Sequence, residues 1–230
     1  MNAEVQLEVR RAADRFETRD GGRTTQHSFS FGEHYDPANL GFASIIAVND
    51  EHLPPTTGYP DHRHSDVEIV TWVVAGALRH SGADGSSEVL LPGDVQRISA
   101  GTGIVHAETT EPGVTTRFVQ TWLRPDVPGA EPSYALVSGS GRGTAEGGLT
   151  EVVGALGLGT AGARLHLGGG AAGELLLPDA PRLHVFVADG LVELDGHRLR
   201  SGDAARMTDL GGKVLTVLEP GAVAVWAFGG

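Results

Sequence analysis

Between residues 67 and 110 the apolar positions fall in short runs, and each run ends in glycine, proline or aspartate. Val67 to Leu78 is rich in β-branched and aromatic residues, the composition of a strand. Ala83-Asp84-Gly85 is a hairpin signal, because Asp-Gly suits a turn that needs positive φ. The chain returns through Ser87 to Leu91, turns at Pro92-Gly93-Asp94 and runs extended from Val95 to Ser99. Gly101 and Gly103 then supply a tight bend before a further strand at 104–110. Such a meander can curl until its first and last strands face a common centre. The pattern predicts an all-β chain.

Two pairs of polar residues sit at the ends of this meander: His62 and His64 in D-H-R-H, and His106 and Glu108 in V-H-A-E. Residues at i and i+2 of a strand project from the same face, about 7 Å apart along the chain. Curling the meander brings both pairs inward, where three imidazoles and one carboxylate form a good set for a divalent metal. Positions remain for water or substrate. Glu68 shares the strand parity of His62 and His64, which offers it as a further ligand or, in preference, as a neighbour that supports one. Val70, Trp72 and Val74 continue that parity as cavity lining or ordinary core. His27 and His34 flank an aromatic segment and read as packing or hydrogen-bonding residues, and His80 as a hairpin residue facing solvent or the pocket mouth.

H-R-H-S-D-V-E-I-V-T-W-V at 62–73 and G-D-V-Q-R-I-S-A-G-T-G-I-V-H-A-E at 93–108 look like the paired motifs of cupin barrels. Together with S-F-S-F-G-E-H-Y-D-P at 28–37 and Q-T-W-L at 120–123, they closely resemble the pirin family. The resemblance implies that His62, His64, His106 and Glu108 bind one divalent transition metal. Iron(II) is the common choice, with nickel, cobalt, manganese, copper or zinc as alternatives. It also implies a quercetin 2,3-dioxygenase-like activity on a flavonol or similar oxygen-rich molecule, with dioxygen as co-substrate. Glu108 would be the catalytic base that takes the flavonol hydroxyl proton before the central ring opens with loss of carbon monoxide. The alternative is a metal-binding redox sensor that acts through a protein partner, whose identity the sequence leaves unknown. A cavity at the metal able to hold three rings would favour the enzyme; a channel for water alone would favour the sensor. The chain departs from the family at 80–85, where H-S-G-A-D-G replaces the H-x-D-S of many pirins.

The second half repeats the first. V-A-D-G-L-V at 187–192 parallels V-V-A-G-A-L at 73–78, and S-G-D-A-A-R-M-T at 201–208 parallels P-G-D-V-Q-R-I-S at 92–99. The spacing between these blocks shortens by five residues in the copy, which predicts a tighter hairpin at Asp195-Gly196. His62 and His64 map onto Leu176 and Pro178, and the second pair onto Thr216 and Leu218, so no ligand survives. His166, His184 and His197 lack H-x-H spacing. The expectation is two tandem cupin barrels, with a metal site only in the first. Residues 1–123 would form the metal-binding domain and 149–230 the second barrel. The proline-rich and glycine-rich stretch 124–148 would connect them.

Composition narrows the classes further. With no cysteine among 230 residues, the chain forms no disulfide and offers no thiolate ligand. The formal charge of −12 opposes general affinity for nucleic acid or anionic membranes. No apolar run approaches the ~20 residues of a membrane span. The N-terminus is charged early without an apolar core, so a secretory signal is not expected, and a cytoplasmic protein is. Phosphate-loop and serine-hydrolase signatures are both missing.

Overall fold

The computed structural model describes residues 6–139, 148–152 and 157–229. Almost all regular structure is β, and the one helix among these residues is a single 3-10 turn, Ala12–Asp14. Of the stretch 124–148 expected to connect the two domains, residues 140–147 lie outside the described residues.

The first compact unit comprises residues 15–139 and 156–161. Its larger sheet has seven strands, in the order Ser133–Val137, Val95–Ser99, Glu68–Ala75, Thr116–Leu123, Ile45–Leu53, Arg23–His27 and Phe16–Asp20. Its smaller sheet has four strands: Gly58–His64, Ile104–Thr110, Leu78–Gly82 and Ser87–Leu90. The chain passes from one sheet to the other six times, and two of these corners flank Glu68–Ala75. At the first, Asp66 adopts φ 52°. At the second, Gly76 adopts φ +83°, and a Cβ there would lie 2.3 Å from the Thr115 carbonyl. Only glycine fits that close approach. The apolar run 67–78 is therefore two strands, not one.

The second unit comprises residues 1–14, 140–155 and 162–230. A single eight-stranded sheet folds over an apolar core that includes Leu183, Val185, Val192, Met207 and Val225. Its strand Arg182–Leu194 bends through three register shifts around Gly190, which repeats the Gly76 corner at φ +89°. The tighter hairpin forms as expected, with Asp195 and Gly196 both at positive φ between Leu194 and its partner His197. The repeat map needs one correction. Leu176 and Leu218 face outward, 69% and 37% exposed, whereas their neighbours Leu175, Leu177, Leu215 and Val217 fill the interior. A slip of one residue changes the face of a strand. No ligand type stands at either set of positions.

The unit boundaries also differ from those read in the sequence. Leu7–Arg10 pairs with Ala204–Thr208 of the second unit, and Ser133–Val137, from the supposed connection, pairs with Val95–Ser99 of the first. Equivalent aspartates anchor both strands. Asp94 accepts from Leu91 N and Gly139 N at 2.8 and 2.7 Å, and Asp203 accepts from Arg200 N and Ala12 N at 3.1 and 2.7 Å.

Candidate metal centre

Strand Gly58–His64 lies at the edge of the four-stranded sheet and pairs antiparallel with Ile104–Thr110, so His62 stands opposite His106. Arg63, between the two histidines, is exposed, while His62 and His64 turn inward. The three imidazoles converge. Ring centroids lie 4.7 Å apart for His62 and His64, 4.4 Å for His62 and His106, and 5.2 Å for His64 and His106. One nitrogen from each falls within 4.8 Å of the others.

These nitrogens are free to bind a cation. His62 Nδ1 lies 2.8 Å from the Pro60 carbonyl, which can only accept, so Nδ1 carries the proton and Nε2 keeps its lone pair. His106 Nε2 is buried without a hydrogen-bond partner, a costly state unless a ligand satisfies it. Its Nδ1 lies 3.4 Å from His80 Nδ1, where a second imidazole can fix its orientation. Burial, aided by the His62 charge, pulls His64 down to about 4. Burial and the charges of His62, His80 and His64 pull His106 down to about 3. Both are neutral imidazoles at neutral pH, the state that ligates metal. The donor set fits a divalent metal.

Glu108 sits differently. It groups within 4.8 Å with His106 and His80, not with His62 and His64. Gln96 Nε2 donates to Oε1 at 2.7 Å and Gln120 Nε2 to Oε2 at 3.0 Å. Each oxygen keeps a further lone pair, so the amides position the carboxylate without excluding a metal bond. Burial pushes Glu108 up to about 7; Gln120 and Gln96 oppose the shift and the Glu51 charge adds to it. A carboxyl near 7 is matched to proton transfer at neutral pH.

The Pirin family model matches residues 8–123, just over half of the chain. The chain belongs to the Pirin family. A relative from Mycobacterium tuberculosis (strain ATCC 25618 / H37Rv), named "Putative quercetin 2,3-dioxygenase", is 43% identical over 96% of this chain and 94% of its own. The "Quercetin 2,3-dioxygenase" of Escherichia coli (strain K12) is 36% identical over 55% of each chain. Among solved structures, the bacterial pirin YhhW from Escherichia coli in complex with nickel(II) superposes with a TM-score of 0.84. It covers 97% of this chain and 99% of its own at 24% identity, a likeness of fold.

In this pirin a cavity of about 710 Å³ adjoins His106 and His80, lined also by Glu88, Ile98, Ile104 and Tyr134 among others. Its size lies within the range of small-molecule sites. Gly82 stands opposite His106, and a Cβ there would lie 2.6 Å from Ser86 Oγ and 2.7 Å from Asp84 Oδ1. In this chain Gly82 and Ala83 take the places of Asp and Ser in the H-x-D-S pattern. Of the two places expected for His80, solvent or the pocket mouth, it takes the pocket. It is 7% exposed, touches His106 and stacks on Tyr134 with ring centroids 4.9 Å apart.

Other readings change. Glu68 does not approach the histidines; it accepts from Ser99 Oγ at 2.7 Å and Gly159 N at 3.1 Å. Parity fails because the corner at Asp66 resets it. The face of Glu68–Ala75 that reaches Glu108 carries Thr71, which accepts from Gln120 Nε2 at 3.1 Å. His27 and His34 both hydrogen-bond Thr18 Oγ1, at 2.9 and 3.0 Å, and stack on Phe31 and Phe16, in line with a packing role. Gln96, Gln120 and Tyr134 went unnoticed in the sequence. Gln96 and Gln120 lie within the pirin-like blocks 93–108 and 120–123, a signal that could have drawn attention to both. Among the described residues, no helix is long and apolar enough to cross a membrane.

Proposed function

We propose that this pirin is a metal-dependent dioxygenase of the quercetin 2,3-dioxygenase type, opening a flavonol or a similar oxygen-rich ring. The observation that carries this reading is the cavity of about 710 Å³ bordered by His106 and His80. A sensor needs no such space beside its metal, and the names of the relatives point to the same chemistry. His62, His64 and His106 would hold one divalent metal, iron(II) by family resemblance, with Glu108 as fourth ligand. When bound, the metal would lower the pKa of a coordinated hydroxyl and supply a place for substrate oxygens. Glu108 would accept the hydroxyl proton, while Gln96 and Gln120 hold the carboxylate in position. The cytoplasmic location and the small-molecule and dioxygen partners belong to this same reading.

The test is oxygen uptake with a flavonol panel after anaerobic loading with iron, nickel, cobalt, manganese or copper. Wild type should consume oxygen. Glu108→Gln, which keeps one ligating oxygen but loses the base, should be about 10²-fold slower or worse. Fully loaded wild type with no uptake on any metal would reject the dioxygenase reading.

A further inference from the structure

The cavity beside His106 has a second end that the metal does not explain. Across the four-stranded sheet, Glu108 pairs with His80 and His80 with Glu88. Glu88 therefore stands two strands from the strand that carries His106 and Glu108, roughly 10 Å away. Tyr134 reaches the same place from strand Ser133–Val137 and donates from its hydroxyl to Glu88 Oε2 at 3.1 Å, with Gln96 Oε1 at 3.4 Å. The walls between are Ile98, Ile104, Val105 and Pro132. Two carboxylates, Asp84 and Glu88, line the cavity, and among the described residues no lysine or arginine does. Arg97, which alternates with Gln96 and Ile98 on its strand, turns its guanidinium to Ser99 and Ser133 instead.

We propose that Glu88 and Tyr134 form the far recognition subsite of this cavity, which takes a neutral aromatic ligand bearing phenolic hydroxyls and turns away carboxylates. The proposal rests on the dioxygenase reading for what occupies the metal end. A carboxylate offers several lone pairs and no donor, so Glu88 can accept from a ligand hydroxyl while still accepting from Tyr134. The Tyr134 ring gives the aryl group a flat wall that aromatic pairs favour. A second anion would meet like charge at Glu88 and Asp84 with no cation to offset it.

Anaerobic calorimetry on nickel-loaded protein tests this without turnover. Quercetin, whose pendant ring carries two hydroxyls, should bind wild type about tenfold more tightly than galangin, whose pendant ring carries none, the scale of a hydrogen bond to a charged group. Glu88→Gln should abolish that difference, leave galangin within about twofold and leave the metal content unchanged. Tyr134→Ala should weaken both flavonols. A flavonol bearing a carboxylate on its pendant ring should bind at least about tenfold more weakly than galangin. Equal binding of quercetin and galangin by wild type, an equal loss of both in Glu88→Gln, or binding of the carboxylated flavonol as tight as quercetin would overturn the subsite. Absence of oxygen uptake by a protein that keeps this discrimination would sink the dioxygenase reading alone.

Discussion

In the first barrel Gly93 N donates to Val73 O at 2.9 Å, and in the second Gly202 N donates to Val187 O at 2.7 Å. The glycines adopt φ +88° and +84°. Corners this similar fix similar paths, yet the interiors differ. The first barrel encloses a polar layer of Thr71, Gln96, Glu108 and Gln120 beside its histidines. The second places Leu175, Leu177, Leu215 and Val217 in its core. The repeat shows that backbone and site are separable: turns hold the scaffold, while a few inward positions decide whether it packs or binds. A polar interior must be satisfied bond by bond, whereas an apolar one needs only to fill space.

Breaking a buried charge pair in the first barrel should have a large effect on stability. Burial alone would raise the Asp50 pKa, but His52 and Arg117 outweigh it and hold the carboxyl well below the usual range. Arg117 contacts both Asp50 oxygens, at 2.9 and 3.0 Å. Asp50→Asn should cost about 3 kcal/mol in urea unfolding, because it removes the charge that the partly buried Arg117 guanidinium pairs with. Because the folded pKa is depressed, the Asp50 contribution is present above the unfolded carboxylate range and lost as pH falls through the lower folded value.

In the second barrel the equivalent injury is a cavity. Leu215→Ala should cost about 2–5 kcal/mol and leave the metal content of the folded protein unchanged. If it removed metal, the two interiors would not be independent.

His184 sharpens the comparison with a smaller effect. Burial, with the Arg206 charge, pulls it down to about 3, so the folded state excludes a proton that the unfolded state binds below its ordinary value of 6.5. Its stabilising contribution is full above that value and declines as pH falls toward the folded one. Between pH 7 and 5, wild type should lose about 2 kcal/mol more than His184→Leu. Equal losses would show that His184 is protonated in the fold.

Much of this architecture was legible in the sequence, because it depends on local signals. The i, i+2 histidine pair and the glycine turns act over a few residues, and the repeat follows from them. What the sequence hid depends on distant chain segments. Gln96, Gln120 and Tyr134 meet Glu108 or the cavity from three strands, and no spacing in one strand announces that meeting. Glu68 misled because parity carries through a strand but not through a corner. The exchange of Leu7–Arg10 and Ser133–Val137 escaped notice because strands of four and five residues carry little pattern of their own.

The most direct test of the central claim, one metal centre built only by the first barrel, is anaerobic metal titration of wild type and His106→Ala. Wild type should bind one equivalent of iron(II) or nickel(II). His106→Ala should retain less than about a tenth of that metal, since the set loses its most buried donor, and the metal-free variant should unfold at wild-type urea concentrations. One full equivalent in His106→Ala, or a second equivalent in wild type, would contradict the account.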